Sequence, residues 1–188
     1  MKLASYTAFG LWALLLAGVT GAVARAAPFG TAPGVGLGPW TPDLALVLLL
    51  AMSSRLERSD ARIAAALVAT VRAALGVDSP FALLAGLWFA VEAIGYARTQ
   101  LRVEGRLLHA LLVAAVSGML TAWLHAAAVL RAPTPIAAER GVLDDALAAA
   151  AATGLVAYLV GRLPSRLPGL RGLWHKGESW ERVGHVRS

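Results

Sequence analysis

Leu107 to Leu130 runs without one Asp, Glu, Lys or Arg. As a helix it would be about 36 Å long at ~1.5 Å per residue, enough to cross a hydrocarbon layer of about 30 Å. Backbone polar groups in lipid must be satisfied internally, so an open chain crosses as helices. Five further apolar stretches, 6–24, 41–54, 61–77, 80–97 and 142–161, are separated by short charged or Gly/Pro-rich turns. The fold class that follows is an all-α membrane protein, a bundle of about six transmembrane helices. It forms one transmembrane domain, 1–161, followed by a basic tail, 162–188. Composition agrees: 58% of residues are hydrophobic and 15% charged, against roughly 45–50% and about 25% for soluble domains.

The boundaries carry their own signals. Tyr6 to Ala24 follows Met1-Lys2, and Ala24-Arg25-Ala26 has the small-x-small form of a cleavage site. The run is longer than the ~7–15 residues of a signal-peptide core, so it reads as a retained first span. Gly34, Gly36 and Gly38 in the following loop make no phosphate-binding fingerprint, because no strand precedes them and no Gly-Lys-Ser/Thr follows. Thr41 is expected to cap the next helix, with Pro42 in its first turn and Asp43 complementing its dipole. That stretch, 41–54, reaches only about 21 Å as a helix. It crosses only if the bilayer thins or its neighbours shield its ends, and is otherwise re-entrant. Asp78-Ser79-Pro80 reads as a tight turn that makes 61–77 and 80–97 an antiparallel hairpin.

Small residues recur at i, i+4 spacing: Ala13, Ala17, Gly21; Ala61, Ala65, Ala69, Ala73; Ala82, Gly86, Ala90; Ala110, Ala114, Gly118, Ala122, Ala126; Ala146, Ala150, Gly154. Lipid supplies no hydrophobic drive between helices, and small faces allow the close approach that packing needs. Gly86, Ala114, Gly118 and Ala122 are the candidate packing positions.

The formal net charge is +6, and the bases sit at the ends of apolar runs. With the N-terminus inside, one side holds Lys2, Arg55, Arg58, Arg62, Arg98, Arg102, Arg106 and six tail bases; the other holds Arg25, Arg131 and Arg140. That bias of thirteen to three places the C-terminus in the cytoplasm. A five-span arrangement with the N-terminus outside exchanges Lys2 for Arg25 and leaves the score unchanged. Lys2 together with the α-amino group favours six spans and a cytoplasmic N-terminus. The expected partner of this charge is the bilayer, not nucleic acid. In the tail, Leu163, Leu167, Leu170, Leu173 and Trp174 alternate with Arg166 and Arg171, as in an interfacial segment on an anionic leaflet or a solvated tail.

No cysteine is present, which excludes disulfides and thiolate chemistry. His109 and His125 are about 24 Å apart on one helix and cannot share a metal. Ser117 has no His on another helix placed as its base, and Asp144-Asp145 reads as helix N-terminal charge before it reads as an external site. No catalytic, metal or cofactor site is expected, and the chain is read as no enzyme. Two charges fall inside apolar stretches, Arg72 and Glu92. Measured from the shared outer turn they lie about 7 Å and 18 Å deep. An internal pair, a contact with a partner protein, and a substrate or proton site are all open for them.

From Pro42 to Leu130 the sequence resembles the MreD family, rod shape-determining membrane proteins of bacteria. The resemblance rests on Pro42-Asp43-Leu44 before a short apolar helix, the basic turn Arg55 to Arg62, Leu75-Gly76, Ser79-Pro80-Phe81, and Gly95-Tyr96 followed by Arg98 and Arg102. It departs at Trp40-Thr41, where the family has Arg before Pro-Asp, at Arg72, where an acid is common, and at Ala82, where Gly is. The resemblance implies a non-enzymatic scaffold that binds MreC-like partners and the peptidoglycan elongation machinery in the inner membrane. It also implies a fold similar to the substrate-binding subunits of energy-coupling-factor transporters. The alternative function is therefore a transporter subunit that binds a small molecule, for which Glu92, Arg72, Tyr96 and Gln100 are the nearest polar groups.

Overall fold

The computed structural model describes residues 2–26, 40–53, 55–76, 78–100, 105–131, 142–161 and 163–174. The expected loops between 27 and 39 and between 132 and 141, and the tail beyond 174, lie outside the described residues. Six helices follow in order: α1 (Lys2–Ala26), α2 (Leu44–Ser53), α3 (Arg58–Leu75), α4 (Pro80–Gln100), α5 (Arg106–Val129) and α6 (Val142–Val160). Two 3-10 turns close the described chain, Leu163–Arg166 and Leu170–Leu173.

Four of these helices, α1, α4, α5 and α6, are long and apolar enough to cross a membrane. Only 11% to 33% of their apolar windows is buried inside the fold. Leu11, Phe89, Leu111, Met119 and Leu155 are all more than half exposed. Water would penalise so continuous an apolar surface; lipid is its natural solvent. The molecule is all-helical among the described residues, with the surface of a membrane protein.

The short helix α2 is the opposite case. Every residue from Ala45 to Met52 is buried, and α1, α3, α4, α5 and α6 all pack against it. Ten residues make about 15 Å of helix, and the protein walls, not lipid, enclose it. Its neighbours shield it along its whole length. It starts at Leu44 and not at the expected Thr41, because the cap is Asp43. The Leu46 N–H donates to Asp43 Oδ1 at 2.9 Å and the Val47 N–H to the Asp43 carbonyl at 3.0 Å. Asp is as good a cap as Thr, and Arg72 also holds this one in place.

The direction of α2 fixes how the chain returns. Lys2 at the start of α1 reaches Glu57 and Asp60 at the start of α3, while Thr20 late in α1 meets Pro42 and Leu44. The helix therefore runs antiparallel to α1 and brings the chain back to the Lys2 end. Residues 163–174 pack against α1 and α2 in that same half. Lys2 and the 163–174 segment thus share an end of the bundle.

Within the stretch read as a basic tail, 162–188, the described part packs on the helices. Leu170 is fully buried and Leu173 is 1% exposed, and Trp12 Nε1 donates to the Pro168 carbonyl at 3.2 Å. Gly169 has φ +85, and a Cβ there would lie 2.7 Å from that of Ala8. Both facts demand glycine at this position. Leu170 and Leu173 insert while Leu163, Arg166 and Arg171 stay exposed, so the alternation sorts only in its second half.

Candidate functional site

Arg72 and Glu92 are not partners. Arg72 Nη1 donates to Asp43 Oδ2, and its Nη2 lies 4.0 Å from Asp78 Oδ2. Glu92 instead accepts from Arg58 Nε at 2.8 Å and from Arg62 Nε at 2.7 Å. The geometry of the α3–α4 hairpin explains these pairings. Counting from the shared turn, Arg62 lies thirteen residues into α3 and Glu92 twelve into α4, about 20 Å and 18 Å at ~1.5 Å per residue. Arg72 is three residues from the end of α3 at Leu75, about 5 Å on this count. Arg58 and Arg62, one turn apart on one face, are the bases at the depth of Glu92.

Two charged nodes result, at opposite ends of α3. The first holds Arg58, Arg62 and Glu92, with Arg62 also 5.7 Å from the Trp88 ring. Beside it Asp60, 5% exposed, is satisfied by Tyr6 Oη at 2.6 Å and Lys2 Nζ at 3.0 Å. Asp60 reads as one more charge of a basic turn in the sequence; its burial depends on Tyr6 from a helix 54 positions away.

The second node surrounds the start of α2. A helix N-terminus leaves N–H groups without intrahelical partners, and here several are met by side chains. The Leu44 N–H donates to Thr20 Oγ1 at 3.4 Å, the Leu46 N–H to Asp43, and the Asp43 N–H to Thr153 Oγ1 at 3.1 Å. Ser117 Oγ donates to Thr153 Oγ1, also at 3.1 Å. Helices α1, α5 and α6 each contribute a hydroxyl, and α3 contributes the guanidinium.

These groups line a cavity of about 610 Å³ between α1, the start of α2, the end of α3, α5 and α6. Its polar lining includes Thr20, Thr41, Asp43, Arg72, Ser117, Thr121 and Thr153, with Asp78 and Asp145 also bordering it. Leu75, Leu120 and Leu124 supply apolar wall. Small-molecule pockets fall in the range of about 300–1,000 Å³ with a few placed polar groups, and this cavity has both properties. Three of the hydroxyls were visible in the sequence as isolated polar residues within apolar stretches: Thr20, Ser117 and Thr153. Of the polar groups expected near a ligand, only Arg72 is here. Glu92 belongs to the other node, Tyr96 is exposed, and the Gln100 side chain lies outside the described atoms.

The packing candidates separate in the same way. A Cβ on Gly86 would come within 2.6 Å of Leu120 Cδ1 and 2.9 Å of Trp123 Cδ1, and the Trp123 indole donates across this gap to the Ala82 carbonyl at 2.8 Å. Gly118 faces Ala146 and Ala150, and Ala114 faces Gly154. Ala122, one turn beyond Gly118, is exposed. The antiparallel pairing of Ala114 with Gly154 and of Gly118 with Ala146 and Ala150 brings Ala122 level with the start of α6 at Val142, where the interface runs out. Compared with known proteins, the chain matches no family model, no curated protein and no solved structure.

Proposed function

We propose that this chain is a non-enzymatic integral membrane scaffold of the bacterial cell-shape machinery, related in role to MreD. It would bind an MreC-like membrane protein and the peptidoglycan elongation complex through helix faces, in the inner membrane. The bilayer orientation follows from charge: the Lys2 end, with Arg55, Arg58, Arg62 and Arg106, faces the cytoplasm, and the Asp43 end faces outward. One observation supports the reading. Two of the short motifs that carry the resemblance, Pro42-Asp43 and Leu75-Gly76, lie about thirty residues apart and are joined in space through Arg72. Asp43 of Pro42-Asp43 pairs with Arg72, whose carbonyl accepts the Gly76 N–H at 2.8 Å, and Asp78 before Ser79-Pro80 closes the group.

The test is affinity capture of a tagged full-length chain from native bacterial membranes. Recovery of an MreC-like protein is the expected result. Recovery of an ATPase module in its place would overturn the scaffold reading in favour of a transporter subunit.

A further inference from the structure

We propose that the cavity beside the start of α2 binds a small organic cation of the amine class. This goes beyond the scaffold reading and does not depend on it. The cavity is held open by groups that already have structural work. Asp43 caps α2, and Thr153 receives both the Asp43 N–H and Ser117 Oγ. Their positions are therefore fixed before any ligand arrives, and a preorganised wall costs little ordering on binding.

Charge decides the class of ligand. Among the described residues, the lining holds Asp43, Asp78 and Asp145 against Arg72, a formal balance of −2. Arg72 is committed, with Asp43 on one Nη and Asp78 near the other. An anion would meet two uncompensated carboxylates, whereas a cation is attracted by them, more strongly beside apolar wall than in open water. A metal ion fits less well. Among the described residues no three of His, Asp and Glu are grouped to hold one, and a guanidinium lies between Asp43 and Asp78. An ammonium group carries three donors and no acceptor. It can bond a carboxylate and a hydroxyl oxygen together, and this lining offers both. The alkyl part of such a ligand would lie on Leu75, Leu120 and Leu124.

The test uses the full-length chain in phosphatidylcholine nanodiscs, with putrescine, glutamate and glucose as probes in calorimetry and thermal unfolding. Putrescine should bind and raise Tm, and glutamate and glucose should do neither. Asp78→Asn combined with Asp145→Asn should weaken putrescine at least tenfold. Glu92→Gln, at the other node, should leave it unchanged. Asp145 is exposed in the first turn of α6, so the single Asp145→Asn variant gives the same reading if the double variant folds poorly. No putrescine binding, as in a vestibule holding solvent only, would overturn the proposal. So would equal binding to the wild type and the variants, or glutamate binding as well as putrescine.

Discussion

The two ends of α3 carry the same chemistry, arginine on carboxylate, to different purposes. At the Glu92 node Arg58 and Arg62 are 74% and 42% exposed against 28% for Glu92, and two cations share one anion. Remove one and another remains. At the Asp43 node the partners are 22% and 20% exposed, and the carboxylate also caps a helix that starts inside the bundle. An ion pair near water adds little, whereas breaking an enclosed one strands a charge and costs far more than the pair contributed. The enclosed node holds the structure together, and the exposed one is a reinforced surface contact.

The largest effect should therefore come from Asp43. Asp43→Ala removes the partner of Arg72 and the acceptor for Leu46 in one step. Truncating one side of a buried pair costs about 3–5 kcal/mol and losing a cap about 1. Because this pair is about a fifth exposed, a loss of roughly 2–4 kcal/mol is expected for Asp43→Ala. Arg72→Ala should approach the same value, and the double variant should cost well under their sum, because both remove one interaction. Unfolding in detergent, followed by circular dichroism, measures all three. Additive losses would break the account of a shared node.

How much of this was legible beforehand depends on the range of the interaction. The number and order of helices follow from apolar length, and local turn chemistry placed α4 well: Pro80 opens it and the Ser79 carbonyl accepts the first helical bond, from Leu83 at 3.0 Å. Arg72 and Glu92 were visible as costly charges, but not their partners. Depth arithmetic applied to those two alone shows a mismatch; applied to Arg62 as well, it finds the true neighbour. Asp43 was placed one step wrong, as a dipole residue behind a Thr41 cap, because nothing local reveals that Arg72 will hold it. The docking of Leu170 and Leu173 had no sequence signal apart from the alternation itself, which fits a membrane surface equally well. What stayed hidden in each case was a contact between distant segments.

A smaller effect, free of charge, tests whether close packing supports both nodes alike. Gly154 sits with Ala114 so near that a new Cβ would be 2.7 Å from the existing one. Gly154→Ala should cost about 1–3 kcal/mol, the usual penalty for overfilling a packed interface. Gly118→Ala, with its nearest contacts at 3.3 Å, should cost less. Gly10→Ala meets nothing within 4 Å and should be neutral or gain up to about 1 kcal/mol from helix propensity. Because Thr153 adjoins Gly154, the first variant should also lower putrescine affinity. A ranking in which Gly10→Ala is the most damaging would mean that the α1 face is an interface with another chain, not a lipid surface.

The smallest effect is expected at Glu92. Glu92→Gln keeps the shape of the side chain and removes its charge, leaving Arg58 and Arg62 to water and to the Trp88 ring. Both guanidiniums are exposed enough to be solvated, so the fall in Tm should be slight. It should shrink further as salt is raised, since screening already weakens the wild-type contact. Asp43→Ala should show no comparable salt dependence, because its charge partner is enclosed. The contrast between the two salt responses is more telling than either melting temperature. If Glu92→Gln destabilises as much as Asp43→Ala, and equally at low and high salt, then the Glu92 carboxylate is enclosed in the membrane and the proposed difference between the two nodes is wrong.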